Sequence, residues 1–319
     1  MINNTKQFYF MAGLPRSGST MLSAILNQNP KIYSGPSSPI LGLMMGIETH
    51  LAQDELFLAF PKPDQGKEIV QSLLSTYYSD VTKPIVIDKN RAWINQLPFY
   101  MNVPTPGQYP GLFGYFEKPP KILVPVRDVA EILTSFITMC RRNPYNGQTK
   151  INFVDEMLIK SNIPLTDDNR CSVLAGPNGI LGQSMAGLRE VYMKGMEKYI
   201  HLIEYNDLLN DPDKTMMEIY NFLEEEPFSH DFNNLKNIHQ ERDQEVYGLS
   251  DMHAVRGNLH KSSLPPEQVL SPEILMQCNG AEFWRNIASN EQSSSANEFD
   301  SIKSKLDMTE TKHPGVIEN

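Results

Sequence analysis

The sequence predicts a three-layer α/β/α protein, in which helices cover both faces of a mostly parallel central sheet. Three observations predict this class. Short apolar stretches typical of buried strands alternate with longer segments of helical periodicity. A glycine-containing turn follows the first strand and leads into a helix. The chain of 319 residues is long enough to bury a large core.

The elements follow from these patterns in chain order. The predicted strands are 7–12, 85–87, 121–126 and 199–203, and the predicted helices are about 18–27, 40–60, 67–79, 128–141, 183–198 and 213–224. Residues 101–120 are rich in Pro, Gly and aromatic residues, which predicts a surface loop over a site. Residues 286–319 are rich in Ser, Asn and charge, so we expect one domain over 1–285 and a weakly ordered tail after it.

Composition limits the function classes. The net charge of −10 argues against a protein that binds nucleic acid through bulk charge, although a local basic pocket stays possible. Three cysteines without a CxxC pair exclude a disulfide scaffold and disfavour a zinc site. Without a long apolar stretch or a visible signal peptide, we expect a soluble cytoplasmic protein that has no membrane partner.

The turn after the first strand, GLPRSGST at 13–20, has the properties of a phosphate-binding loop. A glycine turn at a helix N-terminus exposes backbone N–H groups, and the helix dipole adds positive charge. The string nearly fits GxxxxGK[ST], but Ser19 stands where the lysine belongs. This departure weakens the case for ATP or GTP hydrolysis, and a turn without a ligand stays possible.

A second anion-binding position follows the strand at 121–126. Arg127 lies at the carboxyl end of that strand, where ligands bind in open α/β sheets, and Asp128 is a plausible helix N-cap. Ser135 follows about two turns into the helix. Taken alone, this pattern also fits a surface arginine beside a helix start.

Together, LPRSGST and the later VRDVAEILTSF resemble the sulfotransferases that use 3′-phosphoadenosine 5′-phosphosulfate (PAPS), over about residues 7–285. The resemblance implies a fold like that of P-loop NTPases. It implies that the 5′-phosphosulfate is held by Pro15, Arg16, Ser17, Gly18, Ser19 and Thr20, and the 3′-phosphate by Arg127 and Ser135. It also implies that Tyr205 lies near the adenine and that Arg256 and Gly257 close on the 3′-phosphate. In the sequence, His253 and His260 flank Arg256. PAPS is charged at both ends, so we expect two separate anion pockets.

The resemblance also implies roles in catalysis. Arg16 would neutralise the leaving 5′-phosphate oxygen, and Lys89 matches a lysine of the family. Arg91 stands where cytosolic relatives have a catalytic histidine, and a guanidinium cannot act as a base near neutral pH. Asp88, close to this position in the sequence, is therefore the candidate base. A second type of relative takes its base, a glutamate, from the segment after the first helix. The corresponding residues here, 34–39, contain no glutamate, so Glu48 and His50 on the next helix are further candidates.

The sequence predicts no metal site, because its seven histidines form no HExxH motif. The expected reaction transfers a sulfonate group to the hydroxyl or amine of a small-molecule or carbohydrate acceptor. Two alternatives stay open: a kinase or NTPase with a degenerate loop, and a nucleotide-binding protein without catalysis. The acceptor and the oligomeric state stay open as well.

Overall fold

The computed structural model describes residues 6–100, 112–116, 118–145, 147–237, 239–260 and 264–290. Most of the predicted loop 101–120 and the predicted tail beyond residue 290 lie outside these residues. Contacts divide the chain into a compact unit that ends at Asn279 and a second unit that begins at Gly280. Residues 286–290, expected in the tail, end a helix (Phe283–Asn290), and a boundary at residue 285 stays a prediction.

Five strands form one sheet, which confirms the predicted fold class. The strands are β1 (Gln7–Met11), β2 (Ile32–Ser37), β3 (Ile85–Lys89), β4 (Ile122–Val126) and β5 (Ile200–Glu204). Their order is β2-β3-β1-β4-β5, and every neighbouring pair is parallel. Strand β2 was not predicted, because Gly35, Pro36 and two serines give it a weak strand pattern that an edge position tolerates.

The helices between the strands fall close to the predicted segments, with two differences. The α-helices of the first unit are α1 (Ser19–Leu26), α2 (Ile40–Gln53), α3 (Glu55–Ala59), α4 (Pro63–Tyr77), α5 (Val129–Arg142), α6 (Phe153–Lys160), α7 (Asp167–Ala175), α8 (Ile180–Met193), α9 (Tyr205–Asn210), α10 (Pro212–Leu223), α11 (Asp243–Tyr247) and α12 (Pro272–Cys278). The predicted helix 40–60 is interrupted at Asp54, whose side chain caps α3. Among the helices given above, five were not predicted: α6, α7, α9, α11 and α12. Among the described residues, no helix is long and apolar enough to cross a membrane.

Successive strand residues point to opposite faces of the sheet, and each face is covered. On one face, Tyr9 and Met11 belong to a core that includes residues of α1 and α10. On the other face, the ring of Phe10 packs against the rings of Trp93 and Phe113, with centroid distances of 4.4 and 5.0 Å. The sheet is therefore the middle layer of three.

Strand register brings the predicted site residues to one edge of the sheet. Met11 pairs with Lys89 across β1 and β3, and Val126 pairs with Glu204 across β4 and β5. The segments that follow these strand ends, including Arg127 and Tyr205, therefore lie at the same carboxyl edge.

The loop after β1 lies directly against β4. The backbone N–H of Leu14 donates to the carbonyl oxygen of Pro125 at 2.8 Å. A Cβ atom on Gly13 would lie 2.4 Å from that same oxygen. Only glycine fits this approach, so Gly13 fixes where the loop leaves the sheet.

We expect Gly13→Ala to lower the free energy of unfolding by about 1–3 kcal/mol, because the added methyl group meets rigid backbone. Gly46→Ala is the matched control, because Gly46 lies in α2 with open space around it. There, alanine should stabilise the protein by about 0.5–1 kcal/mol through helix propensity. Urea unfolding measures both effects. Equal effects at the two positions would contradict the close approach at Gly13.

Candidate active site

A cleft with a volume of about 360 Å³ opens at the carboxyl edge of the sheet. Six basic side chains line it: Arg16, Lys89, Arg91, Arg127, Arg142 and Arg256. This concentration of positive charge contrasts with the net charge of −10 of the whole chain. The cleft is therefore suited to a small ligand that carries several negative charges.

The cleft gathers most of the residues that the sequence predicted for nucleotide binding. Its lining includes Pro15, Arg16, Gly18, Ser19, Thr20, Lys89, Arg127, Ser135, Tyr205 and Arg256. Ser17 and Gly257 do not line it. The Ser17 hydroxyl donates to the carbonyl oxygen of Leu14, and the Gly257 carbonyl accepts from the N–H of Leu235 at 2.7 Å. Both residues shape the loops beside the cleft.

The loop 13–20 presents the start of α1 to this cleft. Gly18 precedes the helix with φ of +90°, and no side chain caps the first turn. A Cβ atom on Gly18 would lie 2.9 Å from the ring of Tyr205. The N–H groups at the start of α1 are thus available to an anion, and the helix dipole reinforces that attraction.

Arg16 adopts a left-handed backbone conformation, with φ of 59°. Its Nε donates to the Oγ of Ser135 at 3.1 Å, and its Nη1 donates to the carbonyl oxygen of Met252. The pKa of Arg16 is lowered to about 10, first by burial of the guanidinium and then by the positive charges of Arg127 and Arg256. These guanidinium groups are therefore close enough to repel one another.

Arg127 is almost completely buried beneath the loop. Its Nε donates to the carboxylate of Glu131 at 2.8 Å, and its Nη1 donates to the carbonyl oxygen of Arg16 at 3.1 Å. Its guanidinium lies 4.1 Å from the ring centroid of Tyr205. Arg127 thus supports the loop in addition to lining the cleft.

The expected separation of two anion pockets is not seen in this arrangement. Arg16 was predicted for the 5′ end of the nucleotide, and Ser135 was predicted for the 3′ end, yet the two side chains are hydrogen-bonded. A guanidinium that is largely withdrawn from water needs acceptors, and Ser135 and Met252 supply them. In this structure, Arg16 therefore belongs with the predicted 3′-phosphate residues.

Lys89 is the last residue of β3, and it pairs with Met11, the last residue of β1. It is buried, and within the described part of the chain its Nζ has no hydrogen-bond partner. Burial lowers the pKa of Lys89, and the charge of Arg91 contributes to this effect. Lys89 also lines a second, smaller cavity of about 20 Å³ together with Thr20. Lys89 therefore lines both the cleft and the smaller cavity, where its ammonium group can bind an anion.

The prediction that Asp88 is the catalytic base is wrong, because Asp88 does not line the cleft. The carboxylate is fully buried and accepts hydrogen bonds from Ser38, Tyr78 and Trp93, at 2.5, 2.5 and 2.6 Å. The physical reason is strand alternation, because neighbours in β3 point to opposite faces of the sheet. Lys89 faces the cleft, and Asp88 faces the core.

The two further candidate bases do not line the cleft either. Glu48 accepts a hydrogen bond from the hydroxyl of Tyr115 at 3.2 Å, and burial raises the pKa of Glu48. His50 is exposed on α2 beside Asp54. Neither side chain is available to a ligand in the cleft.

Sequence reasoning missed several polar residues at the site. Arg142 lies on the same face of α5 as Ser135, seven residues on, and this helical spacing is a pattern that could have found it. Glu241 and Asp243 are close to His253, with all three ligand-type atoms within 4.8 Å of one another. Such spacing could hold a metal ion, but His253 Nδ1 already lies 2.6 Å from Asp243 Oδ1. We therefore describe these three side chains as a hydrogen-bonded group.

Comparison with known families gives one match that covers most of the chain. The family described as "Sulfotransferase domain" matches residues 7–253. This range includes the phosphate loop, Lys89, Arg127, Ser135 and His253. A comparison with curated protein sequences gives no match.

Solved structures that the chain resembles are also sulfotransferases. The sulfotransferase domain from the curacin biosynthetic pathway is 14% identical, with 86% of this chain and 98% of that chain covered and a TM-score of 0.47. The sulfotransferase domain of the Synechococcus PCC 7002 olefin synthase is 17% identical, with 88% of this chain and 95% of that chain covered and a TM-score of 0.45. Mouse sulfotransferase SULT7A1 complexed with PAP is 12% identical, with 96% of this chain and 90% of that chain covered and a TM-score of 0.45.

We expect Asp88→Ala to lower the free energy of unfolding by about 3 kcal/mol or more, because three buried donors lose their acceptor. Asp88→Asn should cost less, because its amide can still accept from Trp93 and can donate to a hydroxyl. Burial raises the pKa of Asp88, so its contribution to stability is complete at acid pH and is lost as the pH rises through that pKa. The stability of Asp88→Asn relative to the parent should therefore improve as the pH rises. Urea unfolding across pH tests this, and equal losses for both variants at every pH would contradict it.

Proposed function

Since the chain belongs to the sulfotransferase domain family, we propose that its cleft binds PAPS and transfers the sulfonate group to a hydroxyl or amine acceptor. The other product is adenosine 3′,5′-bisphosphate. The observation that carries this proposal is the cleft itself. It joins an uncapped helix N-terminus to a cluster of guanidinium groups in an acidic protein.

The guanidinium cluster suits the 3′-phosphate. Arg16 already bonds to Ser135, and the charges of Arg127 and Arg256 act on Arg16. A phosphate among these groups would relieve their mutual repulsion and accept charge-assisted hydrogen bonds. Arg127 contributes its charge from beneath the loop, where Glu131 and Tyr205 hold it.

The phosphate loop suits the 5′-phosphosulfate. We assign this end to the N–H groups at the start of α1, the hydroxyls of Ser19 and Thr20, and the ammonium group of Lys89. In this assignment Lys89 neutralises the leaving oxygen, a role that the sequence analysis expected for Arg16. Tyr205 packs against Gly18 and Arg127, so it forms one wall of the nucleotide site between the 5′-phosphosulfate and the 3′-phosphate.

Sulfonate transfer at this site depends on how the acceptor is positioned and on how the charge of the leaving oxygen is stabilised. The acceptor oxygen or nitrogen attacks sulfur in line with the leaving phosphate oxygen, by analogy with phosphoryl transfer. Negative charge develops on that leaving oxygen, and fixed donors at the loop and Lys89 stabilise it. The acceptor is a small molecule or a carbohydrate that carries a hydroxyl or amine group.

We expect Arg16→Ala to weaken binding of adenosine 3′,5′-bisphosphate by about 10-fold to 100-fold, as expected for a lost charge-assisted contact of about 1.5–3 kcal/mol. The same variant should bind adenosine 5′-monophosphate, which lacks the 3′-phosphate, as the parent does. Calorimetry with both nucleotides measures the two effects.

The control for this comparison is Lys214→Ala, which removes one exposed positive charge on α10. It should bind both nucleotides like the parent. If Arg16→Ala weakened both nucleotides equally, Arg16 would belong to the 5′ end, as the sequence first suggested. If it weakened neither, the cleft would not be the nucleotide site.

Lys89→Met should stabilise the ligand-free protein by about 1–3 kcal/mol, because it removes a buried charge that has no hydrogen-bond partner among the described residues. The same change should slow sulfonate transfer and weaken binding of both nucleotides. Thermal unfolding and calorimetry provide the two readouts. A variant that is less stable and binds nucleotide normally would show that Lys89 has a structural role instead.

A further inference from the structure

The cleft contains few side chains that can accept a proton near neutral pH. Among the described residues that line it, these are Asp251, His253 and His260. Asp251 is exposed, on a turn with φ of 59°. His260 is exposed, and its Nδ1 lies 2.9 Å from the side-chain oxygen of Asn258. His253 differs from both because it is largely buried and held by charged partners.

Two carboxylates hold one side of the His253 ring. Nδ1 lies 2.6 Å from Asp243 Oδ1 and 3.3 Å from Glu241 Oε2. An ionised carboxylate can only accept a hydrogen bond, so Nδ1 carries the hydrogen. Nε2 then keeps its lone pair. The same relation between a carboxylate and a histidine orients the general base of many hydrolases.

The backbone around His253 is fixed as well. The N–H of His253 donates to Asp243 Oδ2 at 2.8 Å, and its carbonyl oxygen accepts from Asn237 Nδ2 at 3.3 Å. The preceding carbonyl, of Met252, accepts from Arg16. The ring therefore stays in the cleft that contains the phosphate loop and Lys89.

We propose that His253 is the general base of sulfonate transfer and that Asp243 and Glu241 position it. This inference rests on the proposed function. The hydroxyl proton of the acceptor moves to His253 Nε2 as the acceptor oxygen forms its bond to sulfur. The bond between sulfur and the bridging phosphate oxygen breaks, and its electron pair stays on the 5′-phosphate of the departing bisphosphate. The imidazolium then releases its proton to water.

This assignment explains how the chain does without the histidine that the family resemblance places at Arg91. The base comes from the segment before Arg256 instead of from the end of β3. Asp88, which lies within β3, faces the core and has three donors of its own. A histidine from another segment supplies the function that neither Asp88 nor Arg91 can provide.

Several charged or titratable groups surround His253. Glu241, Asp243 and Tyr247 contact it directly, and Lys89, Arg91 and Arg16 act on those neighbours. Lys89 and Arg91 lie on the β3 side, and Arg16 lies in the phosphate loop. The pH dependence of the parent therefore combines these groups, so the test compares variants across pH.

The test measures transfer from sulfur-labelled PAPS to phenol, 4-nitrophenol, ethylene glycol and water over a range of pH. His253→Gln should lower kcat by about 10²-fold to 10⁴-fold with phenol and with the alcohol, since general-base catalysis is typically worth this much. The loss should be much smaller with 4-nitrophenol, which ionises readily without a base. The acid limb of the pH profile should disappear in the variant.

His50→Gln is the matched control, because His50 is an exposed histidine on α2 outside the cleft, and its rates should equal those of the parent. Asp243→Asn should lower kcat less than His253→Gln and should leave KM for PAPS nearly unchanged. Because Asp243 is buried, its variant is compared only after thermal unfolding shows a folded protein. Asp243→Glu should recover part of the lost rate, since it restores a carboxylate at Nδ1.

Calorimetry with adenosine 3′,5′-bisphosphate separates this proposal from the proposed function. Binding by the parent and by His253→Gln, with transfer only by the parent, supports the base assignment. Unchanged transfer in His253→Gln overturns it, and so does transfer by the parent that stops on chelation and returns with zinc. A parent that binds the bisphosphate but transfers sulfonate to none of these acceptors overturns it too. A parent that does not bind the bisphosphate contradicts the proposed function instead.

Discussion

The site depends on the contacts that the buried guanidinium of Arg127 makes with three segments of the chain. It joins α5 through Glu131, the phosphate loop through the carbonyl of Arg16, and the start of α9 through the ring of Tyr205. Removing one partner of a buried ion pair typically costs about 3–5 kcal/mol. Three segments that follow three different strands therefore share one charged anchor, which fixes the loop before any ligand arrives.

The cleft also holds charges that have an electrostatic cost. The pKa of Arg16 is lowered by burial and then by the charges of Arg127 and Arg256. Lys89 is buried without a hydrogen-bond partner among the described residues. Such strained charges reduce the stability of the free protein, but they are already oriented for an anionic ligand. Donors that are fixed in advance stabilise developing charge without reorganising, which is how transferases of charged groups gain rate.

Much of the fold and part of the site could be predicted, because their patterns are local. The loop 13–20 and Arg127 each lie beside a strand end, and Ser135 lies on the helix that follows β4, so strand and helix periodicity places them together. Strand β2 escaped because Gly35 and Pro36 hide its pattern. Asp88 was placed wrongly because adjacent strand residues face opposite sides. The carboxylates at His253 could not be predicted, because only tertiary packing brings Glu241 and Asp243 to that ring.

A crystal structure with adenosine 3′,5′-bisphosphate tests the central claim most directly. The account predicts the 3′-phosphate among Arg16, Ser135 and Arg256, and the 5′-phosphate at the start of α1 beside Lys89. Density for the nucleotide in the reverse orientation, or outside the cleft with Arg16 still bonded to Ser135, would contradict it.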